Sequence, residues 1–336
     1  MSRSWHLDGV GIETLRLGTR SKLEPKAGEV LVRVQAAAIN HRDLGILYGA
    51  YPAVSGVIPF SDGAGVVESV GFGVTNWMPG DAVISTFYPH WESGPANATN
   101  HAQSLGCEID GMLTEYAIVP ATALTKAPLS LSPTAAATLP CAGLTAWTAL
   151  FSEGNLRPGE TVLIQGTGGV AIFALQLSQM VGARAIVLTS DETKAARAKK
   201  MGADVTINYL KNPAWADEVL AATGGIGADL IVELGGQDTL PQSLNCVKVG
   251  GRICVIGVLS GLIAQVPLPP ILFRHIQLTG ITVGHRQDLA ALVTAIDANG
   301  LEPVVDKVYE FSDAAAAYSE LPSGQHFGKK VVSIFS

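Results

Sequence analysis

Thr161-Val-Leu-Ile-Gln165, then Gly166-Thr-Gly168-Gly169-Val-Ala171, then an apolar stretch ending in Ala185-Ile-Val-Leu-Thr189, is the part of this chain whose reading decides the fold. The first run has the continuous apolar character of a strand buried on both faces. It passes into a glycine turn, the turn opens a helix, and the last run is a second buried strand. That order is the unit that holds a dinucleotide pyrophosphate. Residues without side chains let backbone N–H groups and the helix N-terminus approach the phosphates. Gly166 and Gly168 fill the first two fingerprint positions, and Ala171 takes the third, where a small residue keeps helix and strand close. A glycine triplet alone is weak evidence, and its place between strand and helix is the confirming context. The predicted cofactor turn is therefore Gly166, Thr167, Gly168, Gly169 and Val170.

Downstream, residues 192–201 read as a helix ended by Gly202. Val205-Thr-Ile-Asn208, Asp229-Leu-Ile-Val-Glu233, Arg252-Ile-Cys-Val-Ile-Gly257 and Ile276-Gln-Leu-Thr-Gly-Ile281 read as further strands. Strands alternating with helices imply a parallel, doubly wound sheet. Upstream, Ser132-Pro133 predicts an amphipathic helix with Ser as N-cap and Pro at its first position. Before it, short strands alternate with glycine-rich turns. Glu29-Val-Leu-Val-Arg-Val-Gln35 has the period of two of a half-buried strand, and Gly71-Phe-Gly73-Val and Pro79-Gly80-Asp81 mark turns. Residues 87–112 break this rhythm with a long Gly/Pro/Asn-rich segment, and such loops tend to be functional or flexible. The tail, 288–336, predicts a helix, a strand near 304–311, a short Ala-rich helix and a last strand at 330–334. It is too small to stand alone and is expected to return to the first domain. The expected domains are thus 1–128 with 287–336, and 129–286.

Two domains suit 336 residues, and 48% hydrophobic against 15% charged residues allows a large core. The net charge of −7 argues against nucleic acid or an anionic membrane surface as partner. The opening Met-Ser-Arg-Ser-Trp-His lacks the apolar region of a signal peptide, and no run approaches the roughly 18 apolar residues of a membrane span. Cys107, Cys141, Cys246 and Cys254 are scattered without paired spacing, which suits small buried hydrophobes in a reducing cytoplasm.

Beyond the glycine turn, the chain carries Asn40-His-Arg-Asp43, Pro59-Phe-Ser-Asp62-Gly-Ala-Gly65, Gly71-Phe-Gly73-Val followed by Gly80-Asp81, Leu139-Pro-Cys141-Ala-Gly-Leu-Thr145-Ala and His326-Phe-Gly-Lys329. Together these resemble the medium-chain dehydrogenase/reductase superfamily of alcohol dehydrogenases and quinone oxidoreductases, over nearly the whole length. The resemblance implies a GroES-like β domain, interrupted by a Rossmann domain and completed by the tail.

Zinc members of that superfamily polarise a substrate oxygen with Zn²⁺ held typically by cysteine and histidine. Their ligand pattern falls here on Asn40, Ser61 and Cys141, and the glutamate behind the metal falls at Asp62. Only Cys141 is an ordinary zinc ligand. The lobe with four close cysteines for structural zinc is also missing, since Cys107 stands alone. The expectation is an enzyme without zinc. His90, His101, Cys107 and Asp110 share one loop, but their irregular spacing favours a solvated loop over a metal cluster.

NAD-preferring sites place Asp or Glu at the tip of the second strand, about 20 residues beyond the glycines, to bind the ribose 2′-OH. Thr189 stands there, followed by Ser190, which favours NADP(H) over NAD(H). Lys194 can supply charge to a 2′-phosphate, or be an ordinary solvated helix residue. Asp191 and Glu192 follow closely and keep NAD(H) open. The resemblance adds Tyr209 as a cofactor contact, His41 at the pyrophosphate and Thr145 beside the nicotinamide; the last two equally suit an exposed helix histidine and simple packing. Gly257 and Val258 follow a strand at the carboxyl edge where ligands collect. Lys329 either reaches a phosphate or flanks the last strand.

Without a metal, hydride transfer requires positioning and a donor where negative charge develops. The resemblance to quinone oxidoreductases points to Asn40 as donor to a substrate oxygen, Tyr51 as donor or acid, and Asp43 as an orienting group. Asn40 is equally suited to cap the helix beginning near His41, and Tyr51 to pack in a turn. Leu47 stands where many relatives have arginine. His90, Trp91 and Asp110 are expected to line the acceptor pocket, with Trp91 either stacking on a planar acceptor or anchoring its loop. The reading is a zinc-independent, NADPH-dependent oxidoreductase acting on a carbonyl, quinone or activated C=C acceptor. The alternatives are a zinc-type alcohol dehydrogenase with unorthodox ligands and a non-catalytic, crystallin-like NADPH-binding protein. In this superfamily the sheet edge within 252–280 commonly pairs across a two-fold axis, so a homodimer is expected.

Overall fold

A computed structural model of the chain describes residues 1–21 and 23–335. The described residues form two compact units, Met1–Leu144 with Gly284–Ser336, and Thr145–Val283. The architecture is α/β, a GroES-like sheet unit and a Rossmann-like parallel sheet unit.

In the second unit six strands lie side by side. Their order is Val205–Asn208, Arg184–Thr189, Thr161–Gln165, Ala228–Glu233, Val247–Val255 and Gln277–Gly280, and every neighbouring pair is parallel. The first strand in sequence is central, and the chain winds outward from it in both directions. The strand order therefore reverses between Thr161–Gln165 and Ala228–Glu233, which opens a crevice at their carboxyl ends. Val162, Leu163, Ile164, Leu230, Ile231 and Val232 have no exposed surface, as strands covered on both faces require. Each such side chain contributes about 1.5–3 kcal/mol relative to leaving it in water. The helix Gly169–Val181 rises from the glycine turn and stops at Gly182, whose φ of 77° forms a left-handed C-cap.

In the first unit the sheet order is Val305–Glu310, Lys329–Ser333, Glu29–Ile39, Asp62–Val70, Ala82–Ser85 and Leu124–Lys126, with Tyr116–Pro120 also pairing with Glu29–Ile39. The tail strand runs antiparallel to Glu29–Ile39, with Lys330 opposite Ile39. This register brings Lys329 beside Asn40. A hairpin of Ser2–Leu7 and Leu15–Arg20, absent from the sequence reading, opens the chain.

Two elements differ from expectation. The strand expected to end at Gln35 continues to Ile39, because Ala36, Ala37, Ala38 and Ile39 pair with the distant tail strand. The helix announced by Ser132-Pro133 does start there, with Ser132 Oγ accepting from Ala135 N–H at 3.3 Å. It then breaks into Pro133–Ala136, Leu144–Trp147 and two wide turns of π geometry, Leu139–Gly143 and Thr148–Ser152. Pro140 has no N–H to donate, so the regular ladder is interrupted there. No helix of the described residues is long and apolar enough to cross a membrane.

Candidate active site

The glycine turn has the geometry its sequence implied. Gly166 has φ 81°, and a Cβ built there would meet no atom within 4 Å. Glycine is therefore required by the backbone conformation, and the space above it is open. Gly168 caps the helix with no side-chain hydrogen bond, so the first N–H groups of the helix lack a side-chain cap. Thr167 is buried, and Gly169 and Val170 are partly exposed.

Thr189 ends the second strand and is buried, its Oγ1 accepting from Asp191 N–H at 3.3 Å. Both nearby carboxylates are committed elsewhere. Asp191 caps the helix Glu192–Lys200 by accepting from Lys194 N–H at 2.8 Å. Glu192 accepts from Asn208 Nδ2 at 2.7 Å and pairs with Lys211 at 2.8 Å. Ser190 and Lys194 are partly exposed beside this tip, and Tyr209, 39% exposed, is tied to it by its N–H on Thr189 O. Val258 is exposed after the fifth strand, and Gly257 N–H donates to Glu233 O.

In the first unit a buried polar cluster forms where the tail strand meets the helix His41–Leu47. Lys329 is 4% exposed, and its ammonium donates to Asn40 Oδ1 at 2.6 Å and to Ile39 O at 2.5 Å. Asp43 Oδ2 accepts from Asn40 N–H at 2.7 Å, and Asp43 N–H returns to the Asn40 main-chain oxygen at 3.0 Å. Asn40 thus caps the helix through its backbone, while its carboxamide oxygen belongs to Lys329. Its Nδ2 is buried and makes no hydrogen bond of ordinary geometry, although the carboxamide helps hold down the pKa of Asp62. Ser61 Oγ donates to Asp62 Oδ1 at 2.6 Å, and Cys141 N–H donates to Asp62 Oδ2 at 3.1 Å.

Burial dominates the electrostatics of this cluster. It raises Asp43 to about 6, against the pull of the Arg42 guanidinium. It raises Asp62 as well, opposed by Lys329 and the Ser61 hydroxyl. Burial, and then Asp62, push the Cys141 thiol well up, which disfavours its thiolate. His41 begins the helix at the surface, with its pKa lowered by partial burial. Thr145 is buried.

Comparison with known proteins identifies the family. Residues 26–129 match the family described as alcohol dehydrogenase GroES-like domain, and residues 169–298 match that described as zinc-binding dehydrogenase. A zinc-type alcohol dehydrogenase-like protein of Schizosaccharomyces pombe is 42% identical over 93% of this chain and 92% of its own. The chain belongs to the medium-chain dehydrogenase/reductase superfamily. It is an oxidoreductase of that superfamily. A putative alcohol dehydrogenase from Sinorhizobium meliloti has TM-score 0.94 and 43% identity, covering 99% of this chain and 98% of that one. A quinone oxidoreductase from Pseudomonas syringae has TM-score 0.85 and 29% identity, covering 99% and 100%. A mycobacterial protein complexed with NADPH has TM-score 0.83 and 27% identity, covering 99% and 100%.

In this medium-chain dehydrogenase/reductase, several residues singled out in the sequence occupy structural positions. Lys329 does not stand free for a phosphate, because register places its ammonium on Asn40. Tyr51 lies outside the buried cluster: it is 48% exposed and its ring covers Gly45, where a Cβ would approach it to 2.5 Å. Asp110 pairs with Arg20 at 2.8 Å and accepts from Ile58 N–H at 3.0 Å, which ties its loop to the opening hairpin and to Ile58. Trp91 anchors its loop: Nε1 donates to Gly94 O at 2.8 Å, and its ring packs with Tyr88, His101 and His285. His90 is exposed. The sequence reading missed Arg42, which reaches Leu105 O at 3.0 Å and Ser104 Oγ at 3.1 Å while lying over the Phe87 ring. It also missed Glu233 and Gln165, the last residues of the two strands flanking the crevice, whose only signal was a polar side chain closing an apolar run.

Proposed function

We propose that this protein is a zinc-independent oxidoreductase that transfers hydride from NADPH to a carbonyl, quinone or activated C=C acceptor. The observation that carries the reading is the Lys329 ammonium on Asn40 Oδ1. The positions where zinc members of the superfamily hold their metal offer a single thiol, a hydroxyl already donating to Asp62, and an amide oxygen already bound to a cation. Among the described residues no three His, Cys, Asp or Glu side chains are grouped to hold a metal ion. This set does not fit tetrahedral zinc, which needs deprotonated soft or borderline ligands.

NADPH is favoured by the second strand tip. Thr189 stands at the acidic position, and Asp191 and Glu192 are engaged in a helix cap and an ion pair, so the strand tip itself carries no carboxylate. The cofactor supplies the hydride when bound. The turn at 166–170 receives its pyrophosphate, with Ser190, Lys194 and Tyr209 at the adenosine end. Asn40 Nδ2 is the buried donor that an acceptor oxygen would engage, and Asp43 and Lys329 hold its backbone and carboxamide. Tyr51, half-exposed with its ring over Gly45, is kept as a second candidate donor. All four cysteines are free thiols, in keeping with the cytoplasm.

The test is a spectrophotometric screen of NADPH oxidation over aldehydes, quinones and enals, with metal analysis of the same preparation. Turnover unaffected by chelator and far less than one zinc per chain are expected. One tightly bound zinc per chain, or no oxidation of NADPH by any acceptor, would refute the reading. We also propose a homodimer. Gln277–Gly280 is an edge strand, and Leu268, Leu272 and Phe273, which precede it in sequence, are exposed. A monomeric mass by light scattering would contradict this.

A further inference from the structure

We propose that Glu233 is a positioning residue for the nicotinamide cofactor: its buried carboxylate fixes the loops at the carboxyl edge of the parallel sheet in the conformation that receives the dinucleotide. The inference rests on the reading of the glycine turn as the cofactor site.

Glu233 ends the strand Ala228–Glu233 and has no exposed surface. Neutral donors surround its carboxylate. Oε2 accepts from Ser243 Oγ at 2.5 Å and from Gln165 Nε2 at 2.6 Å. Oε1 accepts from Gly236 N–H at 3.0 Å, from Gly235 N–H at 3.1 Å and from the Thr239 hydroxyl. A carboxylate at this depth persists only where donors replace the water it has lost.

Gln165 makes the link to the glycine turn, since it is the residue before Gly166. Its Oε1 accepts from Leu234 N–H at 3.0 Å and Gly235 N–H at 3.1 Å. That fixes the orientation of the amide and leaves Nε2 to donate to Glu233, and to Ser243 Oγ at 2.9 Å. A third segment joins through the backbone. Ile256 and Gly257 N–H donate to Glu233 O, and Ser260 Oγ donates to Gly235 O at 3.0 Å. Gly236 has φ 90°, and a Cβ there would meet Gly261 O at 2.9 Å and Val258 Cα at 3.0 Å. The loops 234–239 and 256–261 therefore lie in contact, with no room for adjustment between them.

Strands Thr161–Gln165 and Ala228–Glu233 flank the reversal of strand order, where an open parallel sheet binds its ligand. Glu233 thus ties Gln165, the residue that leads into the turn at 166–170, and the loop 234–239 through its carboxylate, and the loop 256–261 through its main-chain carbonyl. Replacing Glu233 by Gln keeps the shape but points an NH₂ group at N–H and O–H donors, so the loops must part.

The experiment measures the Kd for NADPH by fluorescence, the acceptor KM and kcat, and the urea midpoint for Glu233→Gln and Arg252→Gln. Arg252 pairs with Glu160 at 2.6 Å ahead of the first strand, at the opposite end of the sheet, and serves as a stability control. Glu233→Gln should raise the NADPH Kd about tenfold with the acceptor KM unchanged, the loss expected when several backbone donors are misplaced. Arg252→Gln should lower the urea midpoint without changing Kd. A Kd within about twofold of the unsubstituted protein for Glu233→Gln, or an equal rise in both variants, would overturn the proposal. Should Glu233→Gln not fold, Thr239→Val removes one donor and keeps the shape. Its NADPH Kd should rise about threefold, and an unchanged value would overturn the proposal just as surely. Failure of the unsubstituted protein to bind NADPH or NADH would instead refute the cofactor reading beneath it.

Discussion

Asp43 is fully buried on the helix His41–Leu47, with one carboxylate oxygen on Asn40 N–H and the other without a partner. Burial raises its pKa from 3.8 to about 6. The folded protein therefore binds this proton more tightly than the unfolded chain. The stability it confers is fully present below about pH 3.8 and lost as pH rises through about 6. A shift of about two units corresponds to about 3 kcal/mol at neutral pH. In Asp43→Asn the amide oxygen can still accept from Asn40 N–H, while the NH₂ replaces an oxygen that already lacked a partner. We expect Asp43→Asn to be more stable than the unsubstituted protein by about 1–3 kcal/mol at pH 8, with the difference shrinking to nothing by about pH 4. Urea unfolding of both proteins between pH 4 and 8 measures this, because titrations elsewhere cancel in the difference. A difference independent of pH, or a variant less stable at pH 8, would refute the assignment of Asp43 as a buried, destabilising charge.

Lys329→Met should destabilise the first unit by about 3–5 kcal/mol in urea unfolding, because Asn40 Oδ1 and Ile39 O lose their donor and Asp62 loses its nearby cation; a loss under 1 kcal/mol would contradict the buried placement. Gly166→Ala should cost only about 1 kcal/mol of stability, since φ is 81° but the space is open, while NADPH affinity falls with a methyl group over the turn. Retained affinity, measured by fluorescence titration, would remove the turn from the cofactor site. Thr189→Asp should shift the ratio of kcat/KM for NADPH and NADH toward NADH by about tenfold or more, and no shift would undermine the preference drawn from the strand tip.

The second unit was largely legible because its signals are local. Continuous apolar runs, the glycine turn and the spacing of strands each depend on neighbours in sequence. The break in the helix after Ser132 was written in Pro140 but outweighed by the apolar pattern around it. The loop 87–112 resisted reading for a different reason. Trp91 and Asp110 look like pocket residues by type, yet their partners, His285 and Arg20, lie far away in sequence. Residue type names what a side chain can do, and only contacts decide whether it is already occupied.

The sequence alone determined the superfamily, the parallel sheet and the place of the dinucleotide turn, since turn chemistry and burial on two faces constrain residue identity at short range. The resemblance also set Asn40 and Ser61 at two of the three positions where zinc members hold their metal. Only the tertiary structure decided what surrounds those two side chains. The antiparallel register of the tail strand sets Lys329 against Asn40, a pairing across 289 residues that no local pattern encodes. In the same way, Gln165 and Glu233 are ordinary strand ends in sequence. They meet because parallel strands, joined only through long crossovers, bring distant residues to one edge of the sheet.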